Sequence, residues 1–166
     1  KRLQEKAADF SNIMVIEGDV LKSSFHQLYP LENQQIKVVA NLPYQISTPL
    51  LFRFIESRDL FSTLTLMLQR EVAERMIASP GGKDYGPLSI FTQSISDLSI
   101  QFFIKPSAFF PPPKVESAVI HMVWKEKPLV RLEEEGWFKK VVKGCFSYRR
   151  KRLINALRHA DLPLPG

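Results

Sequence analysis

VVANLPYQISTPLLF, residues 38–52, passes from an apolar, β-branched run directly into Asn41-Leu42-Pro43-Tyr44. Pro43 has a fixed φ and no N–H to donate, and it pushes Leu42 toward extended geometry. The tetrapeptide is therefore a stiff strand ending. It presents two acceptors, the Asn41 side-chain oxygen and the Leu42 carbonyl, beside the Tyr44 ring. That set suits a nucleobase, because both protons of an exocyclic amine are accepted while the ring stacks on the aromatic. Such stacking is worth about 1–3 kcal/mol, enough to hold a base extruded from a loop or a weakened pair. The four residues alone read equally well as a plain turn, since Asn-x-Pro segments commonly end strands.

Working outward, two β-branched-rich runs, Ile13 to Glu17 (IMVIE) and Ile36 to Ala40 (IKVVA), read as buried parallel strands, each followed by turn residues. Pro49 opens a helix whose Leu50, Leu51, Phe54 and Ile55 share a face. The pattern continues with a strand at Thr63 to Leu68, a helix from Arg70 to Ala78, the loop SPGGKDYG, and a helix at Pro87 to Ile95. Strands at Ser99 to Ile104 and Ser117 to Trp124 follow, separated by the proline-rich KPSAFFPPPK. Alternating strands and helices predict a doubly wound α/β sheet, whose ligands bind beyond the carboxyl ends of the strands. By that rule Asp19 and Asn41 sit at neighbouring strand tips and face one crevice. Beyond Trp124, Gly136 to Phe146 and Arg150 to His159 carry helical spacing. The expected organisation is thus an α/β domain over residues 1–124 and the start of a basic helical domain over 125–166.

The 166 residues are 45% hydrophobic, enough for one substantial core, and carry a net charge of +6. Residues 1–124 hold 12 Lys+Arg against 12 Asp+Glu, so the whole excess lies in residues 125–166, with 11 against 5. A basic patch of this kind suits phosphate backbones, and equally describes a solvated helix face. No apolar run approaches a membrane span, and no signal peptide is visible. A single cysteine, Cys145, forms no internal disulfide; a cytoplasmic, monomeric protein is the expectation. His26, His121 and His159 lack metal-ligand spacing, so no metal is expected.

ANLPYQISTPLLF resembles the catalytic motif region of the ribosomal RNA adenine dimethyltransferases. The resemblance continues through MLQREVAERMIASPGGKDYGPLSIFTQ (67–93), AFFPPPKVESAV (108–119) and CFSYRRKRLINAL (145–157), in the family's order. It implies a Rossmann-like methyltransferase sheet followed by a small helical domain. The implied activity is double methylation, from S-adenosylmethionine, of two adjacent adenines near the 3′ end of small-subunit ribosomal RNA. Position by position, Asp19 in the EGDV turn matches the acceptor for the cofactor's adenine amine, with the Val20 backbone against the same ring. Asn41 and Leu42 match the acceptors for the target amine, and Asn41 also lies against the cofactor. Pro43 completes the catalytic tetrapeptide. Tyr44 and Phe109 match the two aromatics that sandwich the target base. Asp19 also reads as a turn-former and Phe109 as a core residue. Lys114 and the run Arg149, Arg150, Lys151, Arg152 are candidates for RNA phosphates.

One departure is plain: no G-x-G stands in the first 40 residues, where the family's glycine-rich cofactor loop is expected upstream of KRLQEKAADF. The expectation is a fragment that carries the target-base half of the site and only part of the cofactor half, binds S-adenosylmethionine poorly or not at all, and is inactive by itself. Two other readings share the motifs: a large-subunit RNA adenine methylase of the antibiotic-resistance type, and a non-catalytic RNA-binding assembly factor. MLQREVAER and YGPLS favour the small-subunit enzymes, and an intact Asn41-Leu42-Pro43-Tyr44 favours catalysis. An amino-methylating DNA enzyme is disfavoured, because such enzymes carry Pro where Leu42 stands.

Overall fold

In the computed structural model, residues 2–28, 35–130, 134–147 and 152–159 are described. The centre is a four-stranded sheet made of β1 (Ile36–Asn41), β2 (Phe61–Gln69), β3 (Ser96–Ile104) and β4 (Ser117–Trp124). Its order is β1-β2-β4-β3. β1 runs parallel to β2, whereas β4 is antiparallel to both β2 and β3. The sheet is therefore mixed rather than parallel throughout. β3 and β4 are joined by the proline-rich loop 105–116, which holds no crossover helix and brings β4 back antiparallel beside β3.

β2 lies between β1 and β4, and its Phe61, Leu64, Leu66 and Leu68 are all buried. Against the sheet pack α1 (Ser47–Glu56), through Leu50, Leu51, Phe54 and Ile55, and α2 (Arg70–Met76), through Ala73 and Met76. The Phe25 ring stacks on Phe54 at 5.3 Å, and both meet Phe61 edge-on. A second aromatic series, Phe52–Phe91–Phe138, joins α1 to α3 (Pro87–Ile95) and α4 (Glu135–Ser147). Leu153–His159 forms a final helix, α5. No described helix is long and apolar enough to cross a membrane.

The motif around YGPLSIFTQ has a structural task. The last carbonyls of a helix lack intrahelical donors. Here Ser89 Oγ donates to Arg75 O at 2.6 Å, and Thr92 Oγ1 to Met76 O at 3.2 Å. Gln93 Nε2 donates to Met76 O and Ala78 O at 2.8 and 2.9 Å. One face of α3 thus closes the C-terminal end of α2.

Residues 13–17 do not form the expected strand. Their β-branched composition is suited to a ladder, but no described strand runs beside them, and backbone groups without a partner stay solvated. Ile13, Met14 and Ile16 are accordingly exposed, and they line an open cavity of about 460 Å³ with Leu3 and Phe10. On β1, Val39 lies on the exposed face of the strand and is 82% exposed. The other expected elements are present, with ends shifted by a few residues. The first helix after the tetrapeptide begins at Ser47, not Pro49. Residues 148–151, including the expected start of the final helix, lie outside the described residues.

Candidate active site

The tetrapeptide leaves the sheet at the carboxyl end of β1. The Leu42 N–H donates to Met67 O at 2.9 Å, extending the β1–β2 ladder one residue beyond Asn41, and the Leu42 side chain is buried. Leu42 is thereby pinned at backbone and side chain together. Pro43 O accepts from the Ile46 N–H at 3.0 Å, and Ser47 Oγ donates to Tyr44 O at 3.0 Å, which turns the chain into α1. Asn41 and Pro43 remain exposed, while Tyr44 is half-buried. Asn41 makes no side-chain hydrogen bond with other described residues, so its amide is available to a ligand.

Asn41, Leu42, Pro43 and Tyr44 form one wall of a cavity of about 270 Å³. Phe109, Phe110, Pro111 and Pro113 form the other wall. The structure thus brings Phe109 to the tetrapeptide across 65 residues of sequence. The cavity is small and open, matched to a single ring system rather than to a large ligand. A deeper cavity of about 550 Å³ lies between α1, α3 and α4, lined by Phe52, Tyr85, Phe91, Arg75, Lys83 and Lys143 among others. None of Asn41, Leu42, Pro43, Tyr44 or Phe109 lines it.

The aromatic wall is held by contacts that the motifs do not show. Tyr44 Oη lies 2.7 Å from Ser117 Oγ, and Ser117, the first residue of β4, is fully buried. This fixes the Tyr44 ring to the strand that leaves the proline-rich loop. Arg70, at the start of α2, reaches the same strand end: Nη1 donates to Glu116 at 2.6 Å, Nε to Glu74 at 2.7 Å, and the guanidinium lies 4.5 Å over the Phe103 ring. Its pKa is raised above the ordinary arginine value, first by the hydrogen bond to Glu116 and then by that to Glu74. A guanidinium held still higher stays charged.

Urea denaturation is expected to show the Tyr44–Ser117 coupling directly. Tyr44→Phe and Ser117→Ala should each cost about 1 kcal/mol, and the double variant no more than about the larger single loss. Additive losses would show that the two hydroxyls do not act as a pair.

Asp19 does not stand at a strand tip, because residues 13–17 are not a strand. It heads a tight turn: Oδ1 accepts from the Leu21 N–H at 2.9 Å, and its carbonyl accepts from the Lys22 and Ser23 N–H groups at 2.9 Å. Oδ2 is 3.8 Å from the Lys22 ammonium, and the side chain is half-exposed. The turn is tied to α1 by Arg53, which donates from Nη1 to Val20 O at 3.0 Å and from Nη2 to Ser23 O, with its guanidinium 5.2 Å over Phe25. Arg53 is not part of any motif in the sequence; its fork geometry reaching two carbonyls is visible only in the fold. Lys114 and Arg152 are exposed, and Arg149, Arg150 and Lys151 lie outside the described residues. Among the described residues no cluster of His, Cys, Asp and Glu is suited to a metal.

Comparisons with known proteins bear on the chain as a whole. Residues 1–161 match the family described as ribosomal RNA adenine dimethylase. The chain is 47% identical to the ribosomal RNA small subunit methyltransferase A of Geobacter metallireducens over 99% of its own length and 60% of that protein's. It is 44% identical to the protein of the same name from Lactococcus lactis, over 95% of its own length and 55% of the relative's. The chain therefore spans little more than half of the curated relatives it matches. Among solved structures, a dimethyladenosine transferase from Plasmodium falciparum superposes with a TM-score of 0.79 at 32% identity, covering 94% of this chain and 54% of that one. The 23S rRNA methyltransferase ErmE superposes at 0.72 and 22% identity, covering 95% and 61%, a likeness of fold alone.

Proposed function

Because the chain belongs to the ribosomal RNA adenine dimethylase family, we propose that it is the target-base half of a small-subunit ribosomal RNA adenine N6,N6-dimethyltransferase that uses S-adenosylmethionine. The observation that carries this reading is the cavity in which Asn41-Leu42-Pro43-Tyr44 faces Phe109 and its prolines.

An adenine placed there stacks on Tyr44 and Phe109, and its amine protons meet the Asn41 side-chain oxygen and the Leu42 carbonyl. The amine lone pair of adenine is delocalised into the ring, so the free base is a poor nucleophile. Two acceptors on its protons favour a more tetrahedral, electron-rich nitrogen as the new bond forms. The pinned backbone of Leu42 and the tethered Tyr44 ring hold the amine in line, which supplies rate through positioning. No strong base is required, since the proton leaves after the nitrogen has become positively charged.

The residues present fit the adenine end of S-adenosylmethionine. The half-exposed Asp19 carboxylate has Oδ2 committed only to the loose Lys22 contact, and the Val20 backbone beside it is fixed by Arg53. When bound, the cofactor supplies an electrophilic methyl carbon. Asp19 would hold its amine, with Val20 and Asn41 beside it.

Lys114 and the run Arg149, Arg150, Lys151, Arg152 are assigned to RNA phosphates, in an α/β body ending near Trp124 and a basic helical segment beyond it. Replacing the four-residue run with alanine is expected to weaken RNA binding alike for all sequences and to flatten the dependence of log Kd on log salt. Every phosphate of a single strand that the run neutralises adds about 0.7 to that slope. An unchanged slope, read by fluorescence anisotropy across a salt series, would remove the run from the interface.

The function is tested by following labelled methyl transfer from S-adenosylmethionine to undermethylated ribosomal subunits. The enzyme is this chain joined to the segments of the Geobacter metallireducens relative that it does not span. Transfer to small but not large subunits is expected. Transfer to large subunits would favour the resistance-type reading, and salt-sensitive binding without transfer would favour an assembly factor.

A further inference from the structure

Phe110 stands at the rim of the same cavity and is 100% exposed, although its neighbour Phe109 is half-buried. The difference follows from the backbone. Phe109 is extended, with φ −119° and ψ 153°, and successive side chains of an extended chain point to opposite sides. The Phe110 ring is therefore turned to the other side of the loop from Phe109, at the mouth of the cavity that both residues line. Pro111, Pro112 and Pro113 follow, so the stem that carries the ring is stiff and loses little freedom when the ring is covered. Lys105 and Lys114, both exposed, close the loop at its two ends and give it a positive charge.

A bare aromatic face on a stiff, cationic stem beside a base-sized cavity has the chemistry of a platform for single-stranded nucleic acid. We propose that Phe110 stacks on the nucleobase next to the target adenine, holding the flanking nucleotide while the target enters the cavity. The two consecutive phenylalanines then serve two consecutive bases, one inside the cavity and one at its mouth, with the intervening phosphate near the loop lysines. This inference rests on the reading that the target base occupies the cavity.

The test uses the 166-residue chain and RNA hairpins of one sequence: intact, abasic at the target adenine, and abasic at each flanking nucleotide in turn. For the wild-type chain, one of the flanking abasic hairpins is expected to bind about tenfold more weakly than the intact RNA. Phe110→Ala should bind the intact hairpin about as weakly and show no further loss on that abasic RNA, whereas Phe110→Trp should behave as the wild type. A wild-type chain indifferent to both flanking bases, or a Phe110→Ala chain that still loses tenfold, overturns the proposal. Sensitivity to the target base alone would overturn it while leaving the cavity reading intact. Indifference to the target base, or no binding of the intact hairpin, counts against both.

Discussion

Replacing Asn41 by alanine in the enzyme completed from its Geobacter metallireducens relative is expected to lower the rate of methyl transfer by about 10²- to 10³-fold, with little change in affinity for the small subunit. The magnitude is that of removing one fixed polar group aimed at charge that develops in a transition state. The asymmetry between rate and affinity is the informative part. Asn41 is exposed and bonds no other described side chain, so its loss disturbs neither the sheet nor the Leu42 anchor on Met67. On the proposed reading, RNA affinity comes mainly from phosphate contacts elsewhere and from stacking on Tyr44 and Phe109. A variant that loses binding and rate together would mean that Asn41 shapes the ground-state complex and does not act selectively on the amine as it reacts.

The second large effect concerns stability. Leu66 is fully buried on β2, opposite Ala40 of β1 and Ile120 of β4 in the ladder. Leu66→Ala is expected to cost about 2–5 kcal/mol, because neighbours on both sides are themselves locked in the sheet and the cavity cannot collapse. That is a large share of the roughly 5–15 kcal/mol that holds a domain of ordinary stability. Val39→Ala, on the exposed outer face of β1, should stay within about 0.5 kcal/mol. Urea midpoints of the two variants, at an unchanged slope, measure both. Equal losses would place the core elsewhere than on β2.

What could be read from the chain divides along the range of the interaction. β2, β4 and α3 were legible because each carries its own signal: alternation in FSTLTLMLQ and SAVIHMVW, and proline at the start of a helix with apolar spacing. The tetrapeptide was legible because its stiffness is local, and its meeting with Phe109 followed from the family's motif order. IMVIE misleads because β propensity says what a segment can pair with, not whether a partner strand lies beside it. The antiparallel half of the sheet depends on how the loop 105–116 returns the chain beside β3, which strand composition does not reveal. Ser117 and Arg53 escape a sequence reading for a different reason: each acts on a residue 30 or more positions away, with Ser117 and Tyr44 separated by 73. Nothing in the local sequence around a serine at a strand start distinguishes a buried tether from a solvated hydroxyl. Conversely, Ser89, Thr92 and Gln93 belong to a recognisable motif, yet the structure gives them the task of capping α2.

Whether the target adenine lies between the tetrapeptide and the proline-rich loop is tested most directly by a photo-crosslink. An RNA hairpin carrying 8-azidoadenine at the target position, irradiated on the 166-residue chain and digested, locates the contact by mass spectrometry. The label is expected on Tyr44 or Phe109, and it should disappear when unmodified hairpin competes. A label confined to peptides outside residues 41–44 and 109–113 would contradict this placement of the base.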